Sequence, residues 1–208
     1  LTNGFLVIHL RMTGRLFAIN KNSVDLQAHD KHLHVIFELS DQFLLFQDQR
    51  KFGKIQFYQD LIWLESKLGP EPLLSGFTIQ YLSQICKSTK QIKALLLDQT
   101  KIAGLGNIYV DEVLWQAGVH PQSVAGDLTS EKIGLMHQAI QIILQQAIEM
   151  QGTTFLSYAF DGTKKGNFLA YLKVFNRTKS ACVRCGTNII KIKVAQRGTH
   201  ICPTCQVR

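Results

Sequence analysis

Cys182-Val-Arg-Cys185 and Cys202-Pro-Thr-Cys205 are two C-x2-C pairs with 16 residues between them. A tight turn at each pair presents two thiolates, and this spacing lets all four converge on one tetrahedral Zn2+. Two disulfides would use the same four residues. A basic chain whose first residues lack the basic-then-apolar pattern of a secretory signal favours the metal. The intervening stretches 188–194 and 199–201 can pair as strands, so the metal closes a β-hairpin too small to hold itself together. Four protein sulfurs leave no position for water or substrate, which makes one structural zinc the expected cofactor.

The charge distribution points to the same end of the chain. Net charge is +8, with 23 basic and 15 acidic side chains. Residues 1–160 carry 13 basic and 14 acidic groups, whereas residues 161–208 carry 10 and one. A locally cationic element on a chain with 46% hydrophobic residues suits a folded protein with a polyanionic partner. Within the hairpin, Lys191, Lys193 and Arg197, beside Arg184, read as a phosphate clamp, because a fixed guanidinium meets phosphate oxygens in a bidentate way. A merely solubilising face is the alternative. No apolar run reaches the roughly 18 residues of a membrane span, so a soluble intracellular protein that does not enter membranes is expected.

Upstream of the cysteines, residues 79–86, 91–99, 107–117 and 130–150 carry apolar side chains at three- and four-residue spacings, the pattern of amphipathic helices. Between two of them lies Ala103-Gly-Leu-Gly-Asn107. Its glycines allow a turn that points N–H groups outward, with Asn107 expected to cap the next helix and Lys93 nearby, as an anion site requires. A plain turn would read the same. The loop lacks the third glycine of a dinucleotide fingerprint and the Lys-Ser/Thr of a P-loop. Leu68-Gly-Pro-Glu-Pro72 breaks the chain before this helical region. Before the break, short Val-, Ile- and Phe-rich runs separated by turn residues predict four or five antiparallel strands between Phe5 and Trp63.

Two loops in that strand-rich part stand out: His9-Leu-Arg-Met-Thr-Gly-Arg15 and Asp48-Gln-Arg-Lys-Phe-Gly53. Large apolar residues at loop tips next to arginine suit a wedge between bases, with the arginine replacing lost pairing contacts. Met12 and Phe52 could equally belong to a core. His32 and His34 alternate and would share a strand face, but no further metal ligand accompanies them. Cys86, on a helical apolar face, reads as core. Glu112 reads as a buried, hydrogen-bonded carboxylate. No Ser-His-Asp or H-E-x-x-H pattern is present.

Taken in order, these motifs resemble the formamidopyrimidine-DNA glycosylase and endonuclease VIII-like family. The likeness runs through His9-Leu-Arg-Met-Thr-Gly, Lys51-Phe-Gly, Leu68-Gly-Pro-Glu-Pro-Leu, Ile92-Lys-Ala-Leu-Leu-Leu-Asp, Gly104-Leu-Gly-Asn-Ile-Tyr-Val-Asp-Glu, Ala195-Gln-Arg-Gly-Thr and the four cysteines. The oxidised-purine branch is closer, because Met12, Arg50 and Phe52 match its void-filling triad.

The resemblance implies an α+β fold: an incomplete amino-terminal antiparallel β-sandwich (1–68), a helix–two-turn–helix DNA-binding domain with a lesion-capping loop (69–175), and a four-cysteine zinc-finger β-hairpin (176–208). It implies that Met12, Arg50 and Phe52 fill the gap left by a flipped base, with Arg50 facing the orphaned cytosine. Lys93, Asn107 and Arg197 match phosphate contacts, and Glu112 a carboxylate near the pocket. Gly152-Thr-Thr and Asp161-Gly-Thr-Lys-Lys-Gly correspond to the segment closing over the extruded base. Departures there are Lys164-Lys165 where a proline is often found and Phe175 where tyrosine is common.

The family's nucleophile is an amino-terminal proline heading a Pro-Glu-Leu-Pro-Glu segment. Its secondary amine attacks the sugar C1′, expels the base and forms an iminium that allows β- and δ-elimination. Residues 1–208 lack that segment, so no catalytic residue is assigned and the chain is expected to be inactive as given. The resemblance implies base-excision repair of oxidised purines: recognition and flipping of the damaged base in double-stranded DNA, with glycosylase and AP lyase chemistry in the complete protein, a monomer located in the bacterial cytoplasm with the nucleoid. The alternative is a non-catalytic damaged-DNA binding protein. A zinc-ribbon module for RNA or protein would leave the Met12 and Arg50/Phe52 loops unexplained.

Overall fold

The structure, a computed structural model, describes residues 1–23, 31–153 and 166–208. The chain divides into two compact units: Leu1–Trp63 with Met150–Leu169, and Leu64–Glu149 with Ala170–Arg208. Both units together give the expected mixed α+β class.

The first unit contains five antiparallel strands: β1 (Phe5–His9), β2 (Gly14–Asn20), β3 (Leu33–Glu38), β4 (Gln42–Asp48) and β5 (Lys54–Tyr58). β1 pairs with β5, and β2, β4 and β3 form a second sheet in that order. In β3, Leu33, Val35 and Phe37 are half-buried while His34, Ile36 and Glu38 are exposed, the period of two that places alternate side chains on opposite faces. Phe17, Leu45 and Phe46 are buried at the centre of the three-stranded sheet. Past Tyr58 the chain turns into a single helical turn, α1 (Ile62–Glu65), where Trp63 stacks on Tyr58 at 5.6 Å. Thr153 and Asn167 form an isolated antiparallel bridge.

The second unit holds α2 (Ile79–Cys86), α3 (Ile92–Leu96), α4 (Asn107–Gln116) and α5 (Ser130–Glu149). Thr78 caps α2 by accepting from the Tyr81 amide, supplying an acceptor to an otherwise orphaned N–H. On α5 the buried Ile133, Met136, Ile140, Ile143 and Ala147 recur every three or four residues, forming the face that packs on α2 and α4. The helix expected over 91–99 ends at Leu96, because Asp98 draws the Thr100 amide and hydroxyl to its carboxylate and forms a turn.

The unit closes with β6 (Ile190–Val194) and β7 (Arg197–Ile201), an antiparallel hairpin as expected. Ala195 and Gln196 both take positive φ at its tip, the geometry whose twist matches two-residue hairpins. Trp115, Val174, Cys182, Ile189 and Cys202 form a buried cluster that binds the hairpin to α4. Among the described residues, no helix is long and apolar enough to cross a membrane.

Candidate nucleic-acid interface

In the first unit, the β1–β2 and β4–β5 connections bring Met12, Arg50 and Phe52 to one place. Arg50 Nη1 lies 3.4 Å from Met12 Sδ, and its guanidinium sits 4.9 Å from the Phe52 ring centre. Met12 is 64% exposed and Phe52 57%, so neither serves the core. An arginine held over an aromatic ring keeps its planar face presented, with part of its rotamer freedom already lost.

Asp48 organises this surface from beneath. It is fully buried. Its Oδ1 accepts from the Thr13 hydroxyl and, at 3.2 Å, from the Arg50 amide; its Oδ2 accepts from the Gly53 amide at 2.7 Å. Burial alone would raise its pKa. The Thr13 hydroxyl and the Gly53, Arg50 and Phe52 amides outweigh that and hold the carboxyl below its ordinary range. His34, one of the two alternating histidines, bonds the Asp48 carbonyl through Nε2 at 2.8 Å, and His32 lies outside the strand at positive φ. Neither belongs to a group of candidate metal ligands among the described residues.

In the second unit, the Sγ atoms of Cys182, Cys185, Cys202 and Cys205 all lie within 4.8 Å of one another. Tetrahedral zinc with Zn–S near 2.3 Å needs sulfurs roughly 3.8 Å apart, and the Cys182–Cys205 pair stands at 3.9 Å. The donor set therefore fits one structural Zn2+. The Arg184 amide and Trp115 Nε1 each approach Cys182 Sγ to 3.4 Å, the N–H contacts that favour a thiolate.

Arg197, Lys191 and Lys193 are exposed on the hairpin. Arg184, expected to join them, does not. Its guanidinium stacks on Trp115 at 4.3 Å and donates to the Trp115 and Gln116 carbonyls, satisfying the C-terminal end of α4.

Lys93 requires a larger correction. Expected to contact phosphate, it is fully buried. Its Nζ donates to Asp111 Oδ1 at 2.5 Å and to Thr199 Oγ1 at 2.8 Å. An ammonium with no exposed surface holds the protein's own carboxylate, not a phosphate. Burial pushes its pKa below the ordinary lysine range, while Asp111 pulls it the other way. Asp111 Oδ2 also accepts from the His200 amide at 2.8 Å, so one carboxylate ties α3 and the hairpin to α4.

Asn107 differs in detail from its expected capping role. Gly106 is the N-cap of α4 and gives no side-chain bond, whereas Asn107 Nδ2 donates to the Gly198 carbonyl at 3.1 Å, beside Arg197. The turn before it is shaped by Gly104 at φ +76° and by Gln99, whose Oε1 accepts from the Gly104 amide. Glu112 is buried as expected: its carboxylate accepts from the Lys173, Val174 and Phe175 amides at 2.7 to 3.0 Å. Burial raises its pKa, with those three amides opposing. Phe175 packs edge-on against His200 at 4.8 Å. Cys86 is core, its thiol pushed up to about 11 by burial. Thr154 and the 161–166 loop, Lys164 and Lys165 included, lie outside the described residues, apart from Gly166.

Sequence reasoning overlooked Asp48 and Asp111. A signal for Asp48 existed, since an Asp opening a turn that ends in glycine commonly bonds the amides that follow it.

Antiparallel strands, a helix–two-turn–helix region and a hairpin carrying four clustered cysteines define a zinc-finger protein of the DNA-glycosylase type. Residues 1–55 match the formamidopyrimidine-DNA glycosylase N-terminal domain, 68–158 its H2TH domain, and 179–207 the zinc finger found in FPG and IleRS. Formamidopyrimidine-DNA glycosylase of Lactococcus lactis is 44% identical over 206 residues, covering 97% of this chain and 74% of that protein; that of Streptococcus pneumoniae is 42% identical over 214 residues, covering 100% and 77%. The chain belongs to the formamidopyrimidine-DNA glycosylase family, bifunctional glycosylase/AP lyases of base-excision repair acting on oxidised purines. Among solved structures, the Lactococcus lactis Fpg in complex with an abasic site containing DNA superposes with a TM-score of 0.87 at 41% identity, covering 98% of this chain and 75% of that one. A mutant of the same protein with a Fapy-dG containing DNA gives 0.85 at 40%, with the same coverage.

Proposed function

We propose that residues 1–208 recognise oxidised-purine lesions in duplex DNA for base-excision repair. The observation that carries this reading is the convergence of Met12, Arg50 and Phe52, exposed and in mutual contact, from two separate loops. In this reading, Met12 and Phe52 occupy the gap left by the extruded base, and the Arg50 guanidinium donates to the orphaned cytosine. Arg197 and Asn107 contact backbone phosphates around the lesion, which position the duplex without reading sequence. Residues 1–68 thus recognise the gap, while 69–175 and 176–208 grip the backbone.

A gel shift on an 8-oxoguanine·cytosine duplex, read beside the matching undamaged duplex, tests this reading. It expects the stronger shift on the damaged duplex. Equal binding to damaged and undamaged duplex would favour a general zinc-finger binder instead.

A further inference from the structure

We infer that Asp48 is a specificity-determining positioning residue: its buried carboxylate joins the two loops that carry Met12, Arg50 and Phe52 and fixes their geometry before DNA arrives. The inference rests on the gap-filling role proposed for those three residues.

Asp48 is the last residue of β4 and pairs in register with Gly14, the first residue of β2. From that position it faces both connections at once. Thr13, next to Met12, gives its hydroxyl to Oδ1. The other loop is held at two points, by the Arg50 amide on Oδ1 and the Gly53 amide on Oδ2. Thr13 Oγ1 also accepts from the Arg50 amide at 3.3 Å, closing a small ring between the loops. The second loop is drawn tightly inward: a Cβ on Gly53 would stand 2.5 Å from Phe46 Cζ and 3.2 Å from Asp48 Oδ2. Lys51, between Arg50 and Phe52, takes a φ of +58°, a conformation that a bulky residue keeps only when its surroundings enforce it.

A buried carboxylate is a costly way to hold a sheet together. The sheet does not need it, because β2 and β4 are already registered by six further residue pairs, from Arg15↔Gln47 to Asn20↔Gln42. What the carboxylate adds is control of exposed side chains at the loop tips. Both of its oxygens accept, from donors on two loops, a task for which asparagine has one acceptor too few and an N–H pair facing another donor. Loops fixed in advance lose less freedom on binding, and that difference favours the complex in which the wedge is inserted.

The test is equilibrium binding of the full 208-residue chain to an 8-oxoguanine·cytosine duplex and to the matching undamaged duplex at one salt concentration. The variants are Asp48→Asn, Thr13→Val and Phe52→Ala. Asp48→Asn is expected to lower the ratio of lesion to undamaged affinity by about tenfold, the scale of one lost charge-assisted hydrogen bond. Thr13→Val should lower it in the same direction by less. A merely structural Asp48 would weaken both duplexes alike and leave the ratio where it was, and that outcome overturns the inference. If Asp48→Asn does not fold, Thr13→Val decides: a reduced ratio supports the inference and a wild-type ratio overturns it. Phe52→Ala separates the two claims. Loss of the ratio in Phe52→Ala beside a wild-type ratio in Asp48→Asn defeats the positioning role alone, whereas an unaltered ratio in Phe52→Ala defeats the wedge reading and the inference with it.

Discussion

Lys93 Nζ and Asp111 Oδ1 stand 2.5 Å apart with both side chains wholly excluded from solvent, and this pair fastens the zinc hairpin to helix α4 through Thr199 and His200. Removing one member of such a pair leaves an uncompensated buried charge, which costs about 3 to 5 kcal/mol. Lys93→Met should lower unfolding free energy on that scale in urea. The double variant Lys93→Met/Asp111→Leu should recover part of the loss. A Lys93→Met chain as stable as the parent would show that the ammonium is not engaged as described.

Arg197 projects from the same hairpin into solvent, so its loss should act on DNA and not on the fold. Arg197→Ala is expected to weaken binding to damaged and undamaged duplexes alike and to reduce the salt slope by about one, as when one phosphate contact stops releasing a counterion. Binding titrations across a series of salt concentrations read this directly. A parallel slope would remove Arg197 from the phosphate contacts.

The cysteines allow a sharper structural test. The core that binds the hairpin to α4 includes Cys182 and Cys202 themselves, so zinc and packing stabilise the same element. Cys185→Ser, or chelation of the parent protein, should release one zinc per chain and unfold residues 182–205, abolishing DNA binding. Metal analysis with amide exchange of the hairpin checks it. A metal-free hairpin that stays protected and binds DNA would contradict a structural zinc.

Asp48 gives a pH dependence with a definite sign. Its folded-state pKa is lowered, so the folded chain holds its proton less tightly than the unfolded one. The stabilisation is therefore complete above the unfolded value of about 3.9 and is lost as pH falls through the lower folded value. Parent and Asp48→Asn unfolding energies should differ most at neutral pH and converge in acid. A difference that grew as pH fell would reverse the assignment.

How much of this was legible in the sequence depends on how far apart the partners lie. The four cysteines sit in two local pairs, and their chemistry admits few readings, so the zinc site was visible at once. Helices α2 and α5 announced themselves by their three- and four-residue spacing, and the strands by short Val-, Ile- and Phe-rich runs between turn residues. Met12, Arg50 and Phe52 were singled out loop by loop, but only the family resemblance brought them together, because Met12 and Arg50 are 38 residues apart. The same distance problem hid the true place of Lys93, whose partners are 18 and 106 residues away. A lysine on a short helix reads as a surface charge until the fold buries it. Arg184 was misread for a similar reason: only the packed structure puts Trp115 beneath its guanidinium.

The measurement that bears most directly on the central claim is the affinity of the 208-residue zinc-loaded chain for an 8-oxoguanine·cytosine duplex relative to the same duplex undamaged. Insertion of Met12, Arg50 and Phe52 predicts a clear preference for the lesion that disappears in Phe52→Ala, while Arg197→Ala weakens both duplexes and keeps the preference. Equal affinities in the parent chain, or a preference that survives Phe52→Ala, would contradict the account.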